Sequence, residues 1–240
     1  MGERIHDIWV YLATTPLLGL TVTLAAYLFG DWVYRRAHQQ PLLNPVLLAV
    51  ALLVALLSVT GTPYQTYFEG AQFVHFLLGP ATVALAVPLY FNLPKLKRLW
   101  LPLLGGLLAG SLTAVVSAVG IGWLLGAPPA TLLSLAPKSV TAPVAMGIAE
   151  RLGGLPSLTA ILVVATGILG AALGPLVLDA LRVRDPAVRG FAIGVAAHGI
   201  GTARAFQESE QAGAFSGLGM GLNILATALL LPLLVGLLGL

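Results

Sequence analysis

Cysteine is absent from the 240-residue chain, and charged residues make up only 9% of it. Without thiols there are no disulfides, thiolate metal ligands or cysteine nucleophiles to consider. The scarcity of charge excludes an ordinary water-soluble domain, in which about a quarter of residues are ionisable. The twelve Lys and Arg residues form no long run interleaved with aromatics, which excludes a nucleic-acid-binding surface. Catalytic signatures are missing too: there is no H-E-x-x-H, no G-x-S-x-G, no phosphate loop and no carboxylate pair inside an apolar stretch. Neither an enzyme, a bound metal nor a resident cofactor is expected.

What the chain has is apolar length. Hydrophobic residues make up 58% of it, and since ~20 apolar residues cross a bilayer, it accommodates about six to eight transmembrane helices with short connections. The expected class is an all-α polytopic membrane protein. Ile8–Phe29, Leu42–Thr60, Ala71–Phe91, Leu101–Gly126, Ser157–Leu178 and Gly213–Leu238 are uncharged and long enough to span. The first is too long for a signal-peptide core and runs into Arg35 and Arg36, so it reads as a retained helix. His75, within the third, reads as structural. Pro128–Gly153 and Ala187–Glu210 differ, because each carries a cation and a helix-breaking sequence near its middle.

Orientation follows from the basic residues, which concentrate on the cytoplasmic side. Arg35, Arg36, Lys95, Lys97 and Arg98 place the N-terminus outside. Arg182, Arg184 and Arg189 join them inside if Pro128–Gly153 dips in and returns, and lie outside if it crosses. The charge bias favours re-entry; a broken helix that crosses fully is the alternative. Residues 128–136 would extend ~13 Å as helix, close to half the membrane.

Pro137-Lys138-Ser139-Val140-Thr141-Ala142-Pro143 and His198-Gly199-Ile200-Gly201-Thr202-Ala203-Arg204 share a spacing, a break followed four residues later by Thr-Ala. With one span between them, two re-entrant copies would enter from opposite faces, the inverted repeat that transporters use around a midplane site. Pro137 should end one helix at Ala136 and let Lys138-Ser139 open the next, whose positive end and Lys138 charge suit a carboxylate. A lysine at mid-membrane needs a partner or a wet cavity, because burying it unpaired costs ~2.5–3.5 kcal/mol. The alternative is that Lys138 snorkels or pairs with Glu208 or Glu210. Ser139 and Thr141 can donate to a substrate oxygen or cap the helix start. Gly199 and Gly201 let backbone approach a ligand, Thr202 adds a hydroxyl, and Arg204 can hold a carboxylate through two bonds or pair with Glu208. His198 can carry a coupling proton or serve as a structural hydrogen-bonding group. Thr82, in Pro80-Ala81-Thr82-Val83, is a further binding candidate, with a plain proline kink as the alternative.

Four stretches together resemble the LrgB (CidB-like) membrane protein family: Pro41–Pro45, Gly79–Tyr90, Pro137–Met146 and His198–Arg204. The resemblance covers almost the whole chain, and P-K-S-V-T-x-P followed by H-x-x-G-T-A-R is a specific pair. It implies a bacterial inner-membrane protein that works with a small LrgA- or CidA-like membrane partner, a portion not found in these residues. The family is described as antiholin-like, regulating murein hydrolases and cell lysis; its plastid relatives translocate glycolate and glycerate, and some bacterial members are linked to pyruvate uptake.

The expected function is a secondary transporter of small monocarboxylates, with residues 1–126 as scaffold and 127–240 as the broken-helix transport unit. The alternative is a holin- or antiholin-like regulator. A passive pore needs helices with a polar stripe, whereas the spans here are apolar all round and polarity gathers at the breaks. Gly105, Gly106 and Gly110, with Gly217, Gly219 and Gly221, offer small-residue surfaces for packing within the chain or in a homo-oligomer.

Overall fold

The computed structural model describes residues 16–37, 40, 43, 45–84 and 86–238. The first half of the expected first span, its flanking Glu3, Arg4 and Asp7, and the side chains of His75 and Thr82 lie outside the described residues. All regular structure among those described is helical. The chain forms two compact units, residues 1–84 and 85–240. The expected division at 126–127 falls in a turn of the second.

The first unit holds α1 (Pro16–Arg36), α2 (Pro45–Thr60) and α3 (Tyr64–Ala84). Glycine decides how closely α1 packs. A Cβ on Gly19 would lie 2.8 Å from the Tyr67 carbonyl oxygen of α3, and one on Gly30 would lie 2.7 Å from that of Pro45 in α2. Thr23 and Tyr67 join hydroxyls at 2.7 Å across the α1–α3 contact.

The second unit contains α4 (Ala86–Phe91), α5 (Leu93–Leu124), α6 (Pro129–Leu135), α7 (Ala142–Leu152), α8 (Pro156–Ala180), α9 (Pro186–Glu208) and α10 (Glu210–Leu238). α1, α5, α8 and α10 are long and apolar enough to cross a bilayer. Their outward faces expose Leu, Ile and Val, as a lipid-facing surface requires, so cohesion must come from close packing and interhelical hydrogen bonds. α5 begins eight residues before the expected Leu101. Pro94 favours a first turn, and Lys95, Lys97 and Arg98 mark where hydrocarbon ends without stopping a helix.

Both interrupted segments double back. Around the first break, the Leu155 amide donates to Ser134 Oγ at 2.7 Å and Thr159 Oγ1 donates to the Ser134 carbonyl at 3.1 Å. Ser134 and Leu155 are 21 positions apart, ~31 Å along a straight helix. Lys138 to Val140 belong to the connection and do not open a helix as expected. α7 starts at Ala142 with Thr141 as N-cap, because Pro143 fits the first helical turn, where a missing N–H costs nothing.

α9 bends back at Ala197 (φ −127°, ψ 16°) and His198 (φ 41°, ψ −137°). Arg189 and Glu208 are 19 positions apart, ~28 Å of straight helix, yet Arg189 Nε reaches Glu208 Oε2 at 3.0 Å. The arm before the bend runs parallel to α10 at backbone contact: a Cβ on Gly190 or Gly194 would lie 2.0 Å from the carbonyl oxygens of Ala212 and Ser216 respectively. This four-residue glycine spacing lets two carbonyls of α10 occupy the places where side chains would otherwise sit. Of the glycines singled out from sequence, Gly219 meets the Phe191 carbonyl, while Gly105 and Gly221 face open space.

Candidate functional site

The tips of the two hairpins meet on Asn223, in the middle of α10 and 1% exposed. Its Nδ2 donates to the Ser139 carbonyl at 3.2 Å and to the Val195 carbonyl at 3.0 Å. Its Oδ1 accepts a short bond from Ser111 Oγ of α5. Two carbonyls on one side force the NH2 group to face them, so the amide has one workable orientation. One side chain thus ties the first break, the end of the first α9 arm and α5 together. Sequence reading passed over Asn223; the signal was there, since a lone amide in an apolar span needs partners.

Beside this clasp lies a cavity of about 350 Å³, at the lower end of the ~300–1,000 Å³ usual for ligand clefts. α5 contributes Leu103, Gly106 and Gly110 to its wall, and the first arm of α9 contributes Phe191 and Val195. Lys138 and Ser139 are the polar side chains on its lining. Lys138 is half-buried, and its Nζ donates to Ser139 Oγ at 3.3 Å. Lys138 enters none of the ion pairs among the described residues, which join Arg35 to Asp31, Lys95 to Asp185, and Arg189 to Asp179 and Glu208. A fixed positive charge with a hydroxyl beside it, on an otherwise apolar cavity, is a place for one carboxylate.

The second break is held by its own side chains. His198, 4% exposed, donates from Nε2 to the Val163 carbonyl of α8 at 2.9 Å. The ring fits because α8 has glycine opposite it: a Cβ on Gly167 would lie 2.6 Å from His198 Cε1. A histidine at φ 41° and ψ −137° occupies a region that favours glycine, a strain of ~1–3 kcal/mol that the surrounding packing must sustain. Thr202 Oγ1 donates to the His198 carbonyl at 2.9 Å and meets Ser216 Oγ at 3.0 Å. Gly201 packs on Ile193 and Ala197, and Gly199 is exposed.

Of the residues expected at the site, Lys138 and Ser139 reach the cavity. Thr141 caps α7 without a side-chain cap bond. His198 and Thr202 stabilise the break behind the cavity wall. Arg204 Nη1 donates to Gln207 Oε1 at 3.1 Å, and Arg189 holds Glu208, the partner that sequence offered to Arg204. Arg204 is not on the cavity lining. The side chain of Thr82 lies outside the described residues.

Ion pairs gather where the α9 hairpin begins and ends: Lys95 with Asp185, and Arg189 with Asp179 and Glu208. Asp185 caps α9 by accepting from the Ala187 amide at 2.8 Å, and Lys95 Nζ reaches its two oxygens at 2.8 and 2.9 Å. The bond from Lys95, with help from the capping amides, holds the Asp185 carboxyl below its ordinary value.

The LrgB-like family model matches residues 23–237. The chain is similar to two Bacillus subtilis (strain 168) proteins. One is the uncharacterized protein YxaC, 38% identical over 93% of this chain and 96% of that protein. The other is the uncharacterized protein YwbG, 36% identical over 91% and 97%. It is also 30% identical to the antiholin-like protein LrgB of Bacillus cereus (strain B4264), over 94% of this chain and 98% of that one. No solved structure matches the chain.

Proposed function

The chain belongs to the LrgB-like family, and from that premise we propose that it is a secondary transporter of small monocarboxylates of the glycolate, glycerate or pyruvate type. The observation that carries the reading is Lys138: a half-buried cation without an acidic partner among the described residues, at a hairpin tip, on an apolar cavity. Lys138 neutralises the carboxylate, and Ser139 Oγ donates to one of its oxygens. Thr141, His198, Gly199, Gly201 and Thr202 shape the two breaks around it, and Arg204 contributes a second positive charge further along the α9 hairpin.

An inverted repeat fits this role. α8 is one apolar helix of 25 residues, ~37 Å long, joining two segments that each fold back on themselves. Crossing once between them makes the hairpins enter from opposite faces, so their tips can share a midplane site. We propose six to eight spans, a bacterial inner-membrane location with the N-terminus outside, residues 127–240 moving against 1–126, and a homo-oligomer working with an LrgA- or CidA-like partner. Lys95, Arg182, Arg184 and Arg189 at the base of the α9 hairpin support a cytoplasmic position for that end.

A second reading rests on the antiholin-like name of the 30%-identical relatives: a regulator of envelope permeability that carries no solute. Reconstituted vesicles separate the two. The transporter reading expects saturable uptake of labelled glycolate, glycerate or pyruvate, with or without the partner. Failure of all three with the partner present supports the regulator.

A further inference from the structure

Resting on the transporter reading, we infer that the cavity at Lys138 selects monocarboxylates with an apolar tail, of the branched or longer 2-oxo acid kind, over short polyhydroxy acids. The polar groups are gathered at one end. Lys138 and the adjacent Ser139, itself 7% exposed, receive the carboxylate and one neighbouring oxygen. Beyond them the wall is Leu103, Gly106, Gly110, Phe191, Val195 and Ala196, without a donor or acceptor on any side chain. The nearby polar side chains are turned away. Asn223 spends its amide on Ser139, Val195 and Ser111, and Thr202 bonds the His198 carbonyl and Ser216.

A hydroxyl on the second or third carbon of a polyhydroxy acid would leave water for this wall and find no partner, which is what makes buried polar groups costly. A methyl or isobutyl group in the same place gains by burial, each matched methylene in a hydrophobic pocket being worth on the order of tenfold in affinity. Size points the same way, since a cavity of about 350 Å³ exceeds what a three-carbon acid fills. Gly106 belongs to the apolar part of the wall. A Cβ there would meet Phe191 Cε1 only at 3.9 Å, so a larger side chain can enter the cavity without displacing backbone.

The test uses the full chain in vesicles, with labelled pyruvate as the reporter and unlabelled glycerate or 4-methyl-2-oxopentanoate as competitor. Thermal stabilisation of the detergent-solubilised protein by the same acids gives a readout independent of transport. The expected result is half-inhibition and half-stabilisation by 4-methyl-2-oxopentanoate at a concentration lower than that of glycerate by about tenfold or more. Gly106→Leu, which fills part of the apolar side of the cavity, should abolish that preference. Equal or better competition by glycerate, no stabilisation by any acid, or an unchanged ranking in Gly106→Leu overturns the inference. If pyruvate uptake is absent while stabilisation keeps the expected order, transport falls and the site's selectivity stands.

Discussion

Replacing Asn223 by Ala removes a side chain that bonds both hairpin tips and α5. Three hydrogen bonds are lost. At the ~0.6 kcal/mol average measured for interhelical bonds in membranes, that alone is about 2 kcal/mol. Ser111 can turn back to a carbonyl of its own helix and recover its bond. The Ser139 and Val195 carbonyls cannot, and each stranded acceptor costs ~1–3 kcal/mol, so the loss should centre on ~4 kcal/mol. Thermal unfolding in detergent is the assay, with an expected drop of roughly 10 °C at ~2–4 °C per kcal/mol for a chain of this size. Ser111→Ala by itself should cost only ~1 kcal/mol, and should add nothing on top of Asn223→Ala, because the bond it removes is already gone. A loss below ~1 kcal/mol for Asn223→Ala, or additive costs in the double variant, would refute the clasp.

The contact between α9 and α10 leaves no space for a side chain, so Gly194→Val should cost ~3 kcal/mol or more by forcing two backbones apart; near-normal unfolding in detergent would show the approach is looser. At the second break, His198→Gly should retain more stability than His198→Ala by ~1 kcal/mol, since glycine relieves the φ of 41° that alanine keeps. The reverse order would mean that this backbone conformation carries no strain for a residue with a Cβ. Asp185 has a folded pKa below its unfolded one, so its contribution is present above the usual carboxylate range near ~3.9 and fades as pH falls through the depressed folded value. Lys95→Ala should therefore lower the melting temperature slightly at pH 7, by less than ~1 kcal/mol for so exposed a pair, with a gap that narrows as pH falls through that depressed value. A gap that does not narrow in acid would assign Lys95 another role.

The breaks themselves were legible because Pro137 and the glycines around His198 interrupt otherwise helical apolar runs, and backbone rules act locally. Their doubling back was half legible, from the placement of Arg182, Arg184 and Arg189. The partners were not. His198 bonds the Val163 carbonyl, and a backbone acceptor has no residue type to announce it. Arg204 had Glu208 at helical spacing, yet the bend in α9 brings Arg189 to that carboxylate from 19 positions away. Gly190 and Gly194 looked like ordinary small residues in a glycine-rich chain until α10 lay against them. The early start of α5 shows a further limit: loss of hydropathy at Lys95 marks the membrane boundary and carries no instruction to end a helix.

The central claim is that Lys138 supplies the charge that holds the carboxylate. Saturable pyruvate uptake by vesicles carrying Lys138→Gln tests it most directly, with thermal unfolding establishing that the variant is folded. Losing a charge-assisted bond of ~1.5–3 kcal/mol should raise the half-saturating concentration by about 10- to 100-fold, and Lys138→Arg should recover part of it. A folded Lys138→Gln protein with wild-type uptake would contradict the account.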